Sequence, residues 1–251
     1  MISLRTQSWQ IDNVETVLSD KDGTFIDLHY FWGKMTELRV QEIIKRYKLE
    51  ANNFERLCLC LGYDTKSGKM LSDGITALYS RSKIIEIFRK NLEDFGVFTT
   101  EDNLAEIFDE VSEFFYQDMV KYTKPIPEAI EFINLLKTAG VKLGIVTSDS
   151  VISTELTLKS FGWEDLFDIY VGRESSSQTK ESGALTKIAL EKLNANPKTT
   201  IMIGDAPMDY NSAKNAGVDR TILVATGQID VDELKIVSEY VVENLSCVEI
   251  L

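Results

Sequence analysis

Basic residues are in short supply in this 251-residue chain. It carries 27 Lys and Arg against 40 Asp and Glu, a formal charge of −13 and a pI near 4.7. A nucleic-acid backbone needs clustered Lys and Arg, and an anionic membrane surface attracts the same residues. Neither partner is expected. Histidine is nearly absent, with His29 alone. Cysteine is scarce and odd in number (Cys58, Cys60, Cys247), which supplies no disulfide framework and predicts a reducing, cytoplasmic setting. Cys58 and Cys60 lie two apart on a helical pattern and so face different directions. The cysteines read as structural and no soft-metal site is expected. No apolar run approaches a membrane span. The opening Met1-Ile2-Ser3-Leu4-Arg5 leads into polar residues, so no secretory leader is expected. Solenoid repeats and low-complexity tracts are missing too. What remains is 44% hydrophobic and 27% charged, a soluble globular composition with room for one large or two modest domains.

The chain is organised around Val17-Leu18-Ser19-Asp20-Lys21-Asp22-Gly23-Thr24. The apolar run from Val14 to Leu18 reads as a buried strand. It stops at two carboxylates spaced i, i+2, which extended backbone turns to the same side. Gly23 lets the chain turn there. Two such carboxylates resist joint ionisation unless a cation or a shared proton relieves them. Mg²⁺ suits hard oxygen ligands. An ordinary Asp-rich turn is the competing reading.

Residues 1–13 are polar and mixed, an edge strand or a loose arm. Helical periodicity then runs through residues 29–122, with helices expected over Tyr30–Tyr47, Phe54–Leu61, Ser82–Phe95 and Glu101–Tyr122 and no strand between them. Gly62–Lys69 reads as a looser, turn-rich stretch. After Lys124-Pro125-Ile126-Pro127 the pattern alternates. Helices over Glu128–Thr138, Ile152–Ser160, Gly183–Leu193 and Tyr210–Asn215 interleave with strands over Val141–Thr147, Asp168–Val171, Thr200–Ile203 and Thr221–Val224. The end, Asp232–Leu251, carries one more helix, a strand-like Tyr240-Val241-Val242 and a tail. Such units in series predict a Rossmann-like parallel α/β sheet with helices on both faces. The core would comprise residues 1–28 and 123–251, and residues 29–122 an all-helical cap inserted after the first motif.

Open parallel sheets bind ligands beyond the carboxyl ends of their strands. Two further strand ends carry polar groups there. Thr147-Ser148-Asp149 offers hydroxyls and amides that can hold phosphate oxygens, or simply cap the next helix. Gly204-Asp205-Ala206-Pro207-Met208-Asp209 repeats the opening logic of apolar strand, then acids. Lys180 could neutralise a carboxylate or a phosphate. In the insert, Lys66, Lys69, Arg81 and Lys83 form a local positive run that could select an anionic substrate, Arg81 foremost, or be solvated surface.

Asp20-Lys21-Asp22-Gly23-Thr24, Thr147-Ser148, Lys180 and the Asp205–Asp209 segment together resemble the four motifs of the haloacid dehalogenase superfamily, in order. Asp205 follows Lys180 by 25 positions, a spacing similar to that of its phosphoglycolate phosphatase-like members with a helical cap. There are departures. Lys21 stands where the family more often has an apolar residue. Lys180 is followed by Glu181-Ser182-Gly183 rather than prolines, which leaves Lys187 as a rival. The resemblance implies an Mg²⁺-dependent phosphatase of a small phosphorylated metabolite. Asp20 would be the nucleophile and Asp22 the acid and base. Asp20, the Asp22 carbonyl and Asp205 would hold Mg²⁺, with Asp209 behind them. Thr147, Ser148 and Lys180 would bind phosphate. The resemblance also implies that Asp22 excludes dehalogenation and phosphonate cleavage, since members with those activities lack an acid at that place. A sugar-phosphate mutase is the first alternative and a non-catalytic binding protein a remote one. Neither the substrate nor the oligomeric state is specified.

Overall fold

A computed structural model describes residues 1–251. The chain forms two compact units, Met1–Asp27 with Lys124–Leu251, and Leu28–Thr123.

The first unit opens with β1 (Ile2–Arg5), β2 (Gln10–Val14) and β3 (Thr16–Ser19). β1 and β2 pair antiparallel, which places Val14 outside the strand that carries the first motif. β3 is buried at every position, as a strand covered on both faces should be.

The second unit holds α1 (Leu28–Tyr47), α2 (Phe54–Cys60), β4 (Tyr63–Asp64), β5 (Lys69–Met70), α3 (Ile75–Leu78), α4 (Arg81–Glu93), α5 (Glu101–Tyr116) and α6 (Met119–Tyr122). Two expectations are corrected here. The turn-rich stretch closes an antiparallel hairpin, Tyr63 opposite Met70 and Asp64 opposite Lys69, so the insert is helical but not free of strands. Its residues are too few to show a two-residue alternation. The helix expected to Tyr122 breaks at Gln117-Asp118, where Asp118 leaves helical geometry. α5 starts as its sequence dictates. The Thr100 side chain accepts the Asn103 amide, and Glu101 and Asp102 occupy the first turn. Its stripe of Leu104, Ile107, Phe108, Val111 and Phe115 is buried. Phe31 of α1 packs edge-on against Phe115 at 5.1 Å between ring centres.

The chain returns through α7 (Pro127–Thr138), β6 (Lys142–Val146), α8 (Val151–Phe161), β7 (Ile169–Val171), α9 (Ala184–Leu193), β8 (Thr200–Gly204), α10 (Pro207–Asn215), β9 (Thr221–Val224), α11 (Val231–Val237), β10 (Tyr240–Val242) and β11 (Glu249–Ile250). Six strands form one sheet in the order β10-β9-β8-β3-β6-β7, every pair parallel. Leu18, Val146, Val171 and Met202 meet Leu185, Ala189, Leu190 and Leu193 of α9 and Ala213 of α10 in one buried cluster. The tail forms a strand. β11 pairs with β1, so the first residues belong to a separate three-stranded sheet. β3 sits between β8 and β6, and its register puts Ser19 level with Ile203 and Ile145. The segments that follow β3, β6 and β8 therefore leave the sheet side by side.

Candidate active site

Asp20 follows β3 directly, and its amide bonds the Ile203 carbonyl at 2.8 Å. The chain then folds back on itself. The amides of Thr24, Phe25 and Ile26 converge on the Lys21 carbonyl at 3.3, 3.1 and 3.1 Å. Gly23 takes φ +86°, a conformation that a side chain would strain.

Two buried lysines organise the acids. Lys180 Nζ lies 2.7 Å from Asp20 Oδ1 and 2.6 Å from Asp209 Oδ1. Lys21 Nζ lies 2.6 Å from Asp22 Oδ1 and 3.0 Å from Asp149 Oδ2. The two side chains are 2% and 0% exposed. Burial opposes the charge of each, but the paired carboxylates outweigh it and raise both lysine pKa values. Both stay protonated at any ordinary pH. Burial pushes Asp22 up to about 6, with Lys21 resisting the rise. Asp209 is likewise pushed up to about 6 by burial, against the pull of Lys180. Asp149 moves the other way. Lys21, the Ser153 hydroxyl and the Ser150 amide outweigh its burial and hold it below the usual carboxylate range.

Asp205 makes no ion pair. Burial first, then the charges of Asp209 and Asp20, push it well above the usual range. A Cβ at Gly23 or at Gly227 would overlap its carboxylate, so two glycines form its cradle. Asp20, Asp205 and Asp209 each offer an oxygen within 4.8 Å of the others. Asp209 is the least available of the three, since its Oδ1 meets Lys180 and its Oδ2 accepts the Ala206 amide at 3.1 Å. Asp20 is engaged through Oδ1, which leaves Oδ2. When all are ionised, the carboxylates of Asp20, Asp22, Asp149, Asp205 and Asp209 exceed the two lysines by three charges. Hard oxygen donors with uncompensated charge fit a divalent cation of the Mg²⁺ or Ca²⁺ kind.

Thr147 is buried and its Oγ1 accepts the Asp149 amide at 3.1 Å, so its hydroxyl proton remains to be given. Ser148 is exposed, with its hydroxyl 3.4 Å from the Met208 sulfur. Ser150, not Asp149, caps α8 by accepting the Ser153 amide. Lys187 points to solvent, while Lys180 lies among the acids. Arg81 starts α4 and reaches α5, donating to the Ala105 carbonyl at 3.1 Å and to Asp109 at 2.7 Å. Sequence reasoning missed three residues. Asp149 was read only as part of a phosphate-holding or capping segment, with no role for its carboxylate. Thr226, which donates to the Gly23 carbonyl at 2.6 Å, and Gly227 follow the C-terminal end of β9. That position in a parallel sheet was the available signal.

A family profile described as haloacid dehalogenase-like hydrolase matches residues 17–224. The chain belongs to that family. Among curated proteins it is similar to a phosphoglycolate phosphatase from Aquifex aeolicus strain VF5. That protein is 25% identical over 218 residues, 86% of this chain and 87% of the relative. Other relatives match over a shorter stretch. A phosphoglycolate phosphatase from Psychrobacter arcticus is 34% identical over 97 residues, 39% of this chain and 42% of its own length. Among solved structures, a predicted phosphoglycolate phosphatase from Haemophilus somnus 129PT superposes with TM-score 0.70 at 18% identity, covering 94% of this chain and 96% of that one. The fold is therefore that of haloacid dehalogenase-like hydrolases, and the protein is an enzyme of that class. No helix is long and apolar enough to cross a membrane.

Proposed function

We propose that this enzyme is an Mg²⁺-dependent phosphatase acting on a small phosphorylated metabolite in the cytoplasm, through a phosphorylated Asp20. One observation carries the reading. The two aspartates of the first motif are held by different lysines, Asp20 by Lys180 and Asp22 by Lys21. Neighbouring carboxylates in separate environments can take separate roles.

In the first step an Asp20 oxygen attacks phosphorus and the bond to the leaving oxygen breaks. Asp22 gives that oxygen its proton, and the alcohol departs. In the second step water attacks the phosphorus of the aspartyl-phosphate, and Asp22, now a carboxylate, takes the water proton. Inorganic phosphate leaves and Asp20 is regenerated. An acid–base group near pKa 6 suits both directions close to neutral pH. Thr147, the Ser148 amide and Lys180 would hold the phosphoryl oxygens, and Asp209 would keep Lys180 in place. Mg²⁺, held by Asp20, the Asp22 carbonyl and Asp205, would supply charge neutralisation and orientation.

Phosphoglycolate, the substrate in the name of the Aquifex relative, heads the candidates. The test is phosphate release from a panel of phosphorylated metabolites. Release should need Mg²⁺, stop with excess EDTA, and vanish in Asp20→Asn, since an amide cannot form the aspartyl-phosphate. Full activity in EDTA would sink the reading. Isomerised sugar phosphate without net phosphate release would favour a mutase.

A further inference from the structure

Lys21 has no part in the steps above. It is the largest fully buried side chain of the protein at 0% exposed, and its ammonium lies between Asp22 and Asp149. Stability does not account for it. Burying a charge costs several kcal/mol, and an apolar side chain of similar volume is often as good or better. What an apolar residue cannot do is hold one oxygen of Asp22.

We propose that Lys21 is a positioning residue that fixes which oxygen of Asp22 exchanges the proton, with Asp149 as its anchor. Lys21 Nζ engages Asp22 Oδ1 at 2.6 Å, so Oδ2 is the oxygen that gives the proton to the leaving group and takes it back from water. A carboxyl free to rotate would lose that geometry between the half-reactions. The anchor is itself built in. Asp149 Oδ1 accepts the Ser150 amide at 2.7 Å, and its own amide bonds Thr147 Oγ1. Its carbonyl accepts the Arg173 amide at 3.0 Å. Lys21 thereby ties the acid–base carboxyl to the turn that carries Thr147. This inference rests on the phosphatase reading of the site.

The experiment follows p-nitrophenyl phosphate with Mg²⁺ by rapid quench. Nitrophenolate hardly needs protonation on leaving, so Asp22 matters chiefly in the water step. Lys21→Met should keep a rapid burst of about one nitrophenolate per enzyme, then turn over about 10- to 100-fold more slowly than wild type, part of the ~10²–10⁴ that acid–base help supplies. In an Asp22→Asn background, Lys21→Met should add nothing, because it acts only through Asp22. A burst and steady state slowed alike, an unchanged steady state, or an equal further loss in the Asp22→Asn background would each overturn the proposal. Should Lys21→Met fail to fold, Asp149→Asn decides by the same burst pattern with a smaller loss. A wild-type protein that releases no nitrophenolate fails the phosphatase reading itself, whereas a wild type that turns over with variants slowed alike in both phases fails only the role of Lys21.

Discussion

Two carboxylates in this protein are each gripped by lysine, and they have been driven in opposite directions. Glu86, on α4 of the inserted unit, meets Lys83 and Lys90 at 2.7 Å each, at a surface where the lysines are 48% and 59% exposed. Those hydrogen bonds draw it down to about 2. Asp22 meets Lys21 at 2.6 Å, and burial still pushes it up to about 6. The pairing chemistry is the same; the dielectric surroundings decide. Around Glu86 burial opposes ionisation only weakly, so the pull of the two lysines shows as a lowered value, while solvent screening keeps the pair's worth to stability small. Without water, the same contact only limits a rise. An ion pair on a helix face is thus a detail of the surface, and a buried one sets which group can carry a proton.

The largest effect expected from this contrast is catalytic. Asp22→Asn should lower kcat on an alkyl phosphate by about 10²–10⁴, and by less in the first turnover of p-nitrophenyl phosphate. Glu86→Gln should leave both untouched. Equal losses for good and poor leaving groups would remove the acid role from Asp22.

The next is stability. Lys180→Met strands Asp20 and Asp209 beside Asp205, and losing one partner of a buried pair costs about 3–5 kcal/mol. Urea unfolding in EDTA at pH 8 should read that loss. At pH 5 it should shrink, because the stranded acids can take protons. Lys83→Met should be silent in both buffers. A pH-independent cost would show that charge is not what Lys180 answers.

A smaller effect concerns pH itself. Asp22, Asp205 and Asp209 all have raised values in the folded protein. Each binds more protons folded than unfolded between about pH 4, the ordinary carboxylate value, and its own value. Their contribution is full below that window and lost as pH rises through it. The melting temperature in EDTA should therefore fall from pH 5 to pH 8. Glu86 contributes nothing to this change, since its lowered value places its window below pH 4.5. Mg²⁺ competes with the protons, so its stabilisation should be larger at pH 8. A flat or rising profile in EDTA would contradict the raised values.

The smallest concerns Arg81. It already meets Asp109 and the Ala105 carbonyl, so Arg81→Ala tests whether it also selects substrate. A specificity role predicts a rise in KM for the natural substrate well above any change for p-nitrophenyl phosphate. A parallel response in both would return Arg81 to the surface class of Glu86.

The parallel core was legible because its strands are continuous apolar runs closed by helices and glycines, and β9 was read to the residue. Asp20, Asp22 and Asp205 stood out because two separate sets of acids follow apolar strands and match the family's motifs in order, although each set alone could be an ordinary turn or cap. Lys21 did not. Alternation along a strand sends it away from its neighbours, yet the chain leaves extended geometry after Asp20 and the lysine reaches Asp22 instead. Asp149 was hidden by the hydroxyl residues around it, any of which could cap α8. β1 could not be placed because its partner β11 lies at the other end of the chain, and nothing local encodes a pairing of Leu4 with Ile250.

The central position of β3 has a consequence for the order of events on the ribosome. β3 has two neighbours, β6 and β8, and both follow it in the chain. The second of them emerges roughly 180 residues later, about 10–40 s at ordinary rates of synthesis. Until β6 is made, roughly 125 residues after β3, Val17 and Leu18 have no neighbouring strand, and one edge of β3 stays bare until β8 appears. The nascent chain thus carries a bare, aggregation-prone edge until both neighbours have emerged. Asp20 and Asp22, placed directly after it, supply the charge that keeps such an edge from pairing with another chain. Asp20, which would later take the phosphoryl group, and Asp22, which would move the proton, serve first as guards of an unfinished sheet.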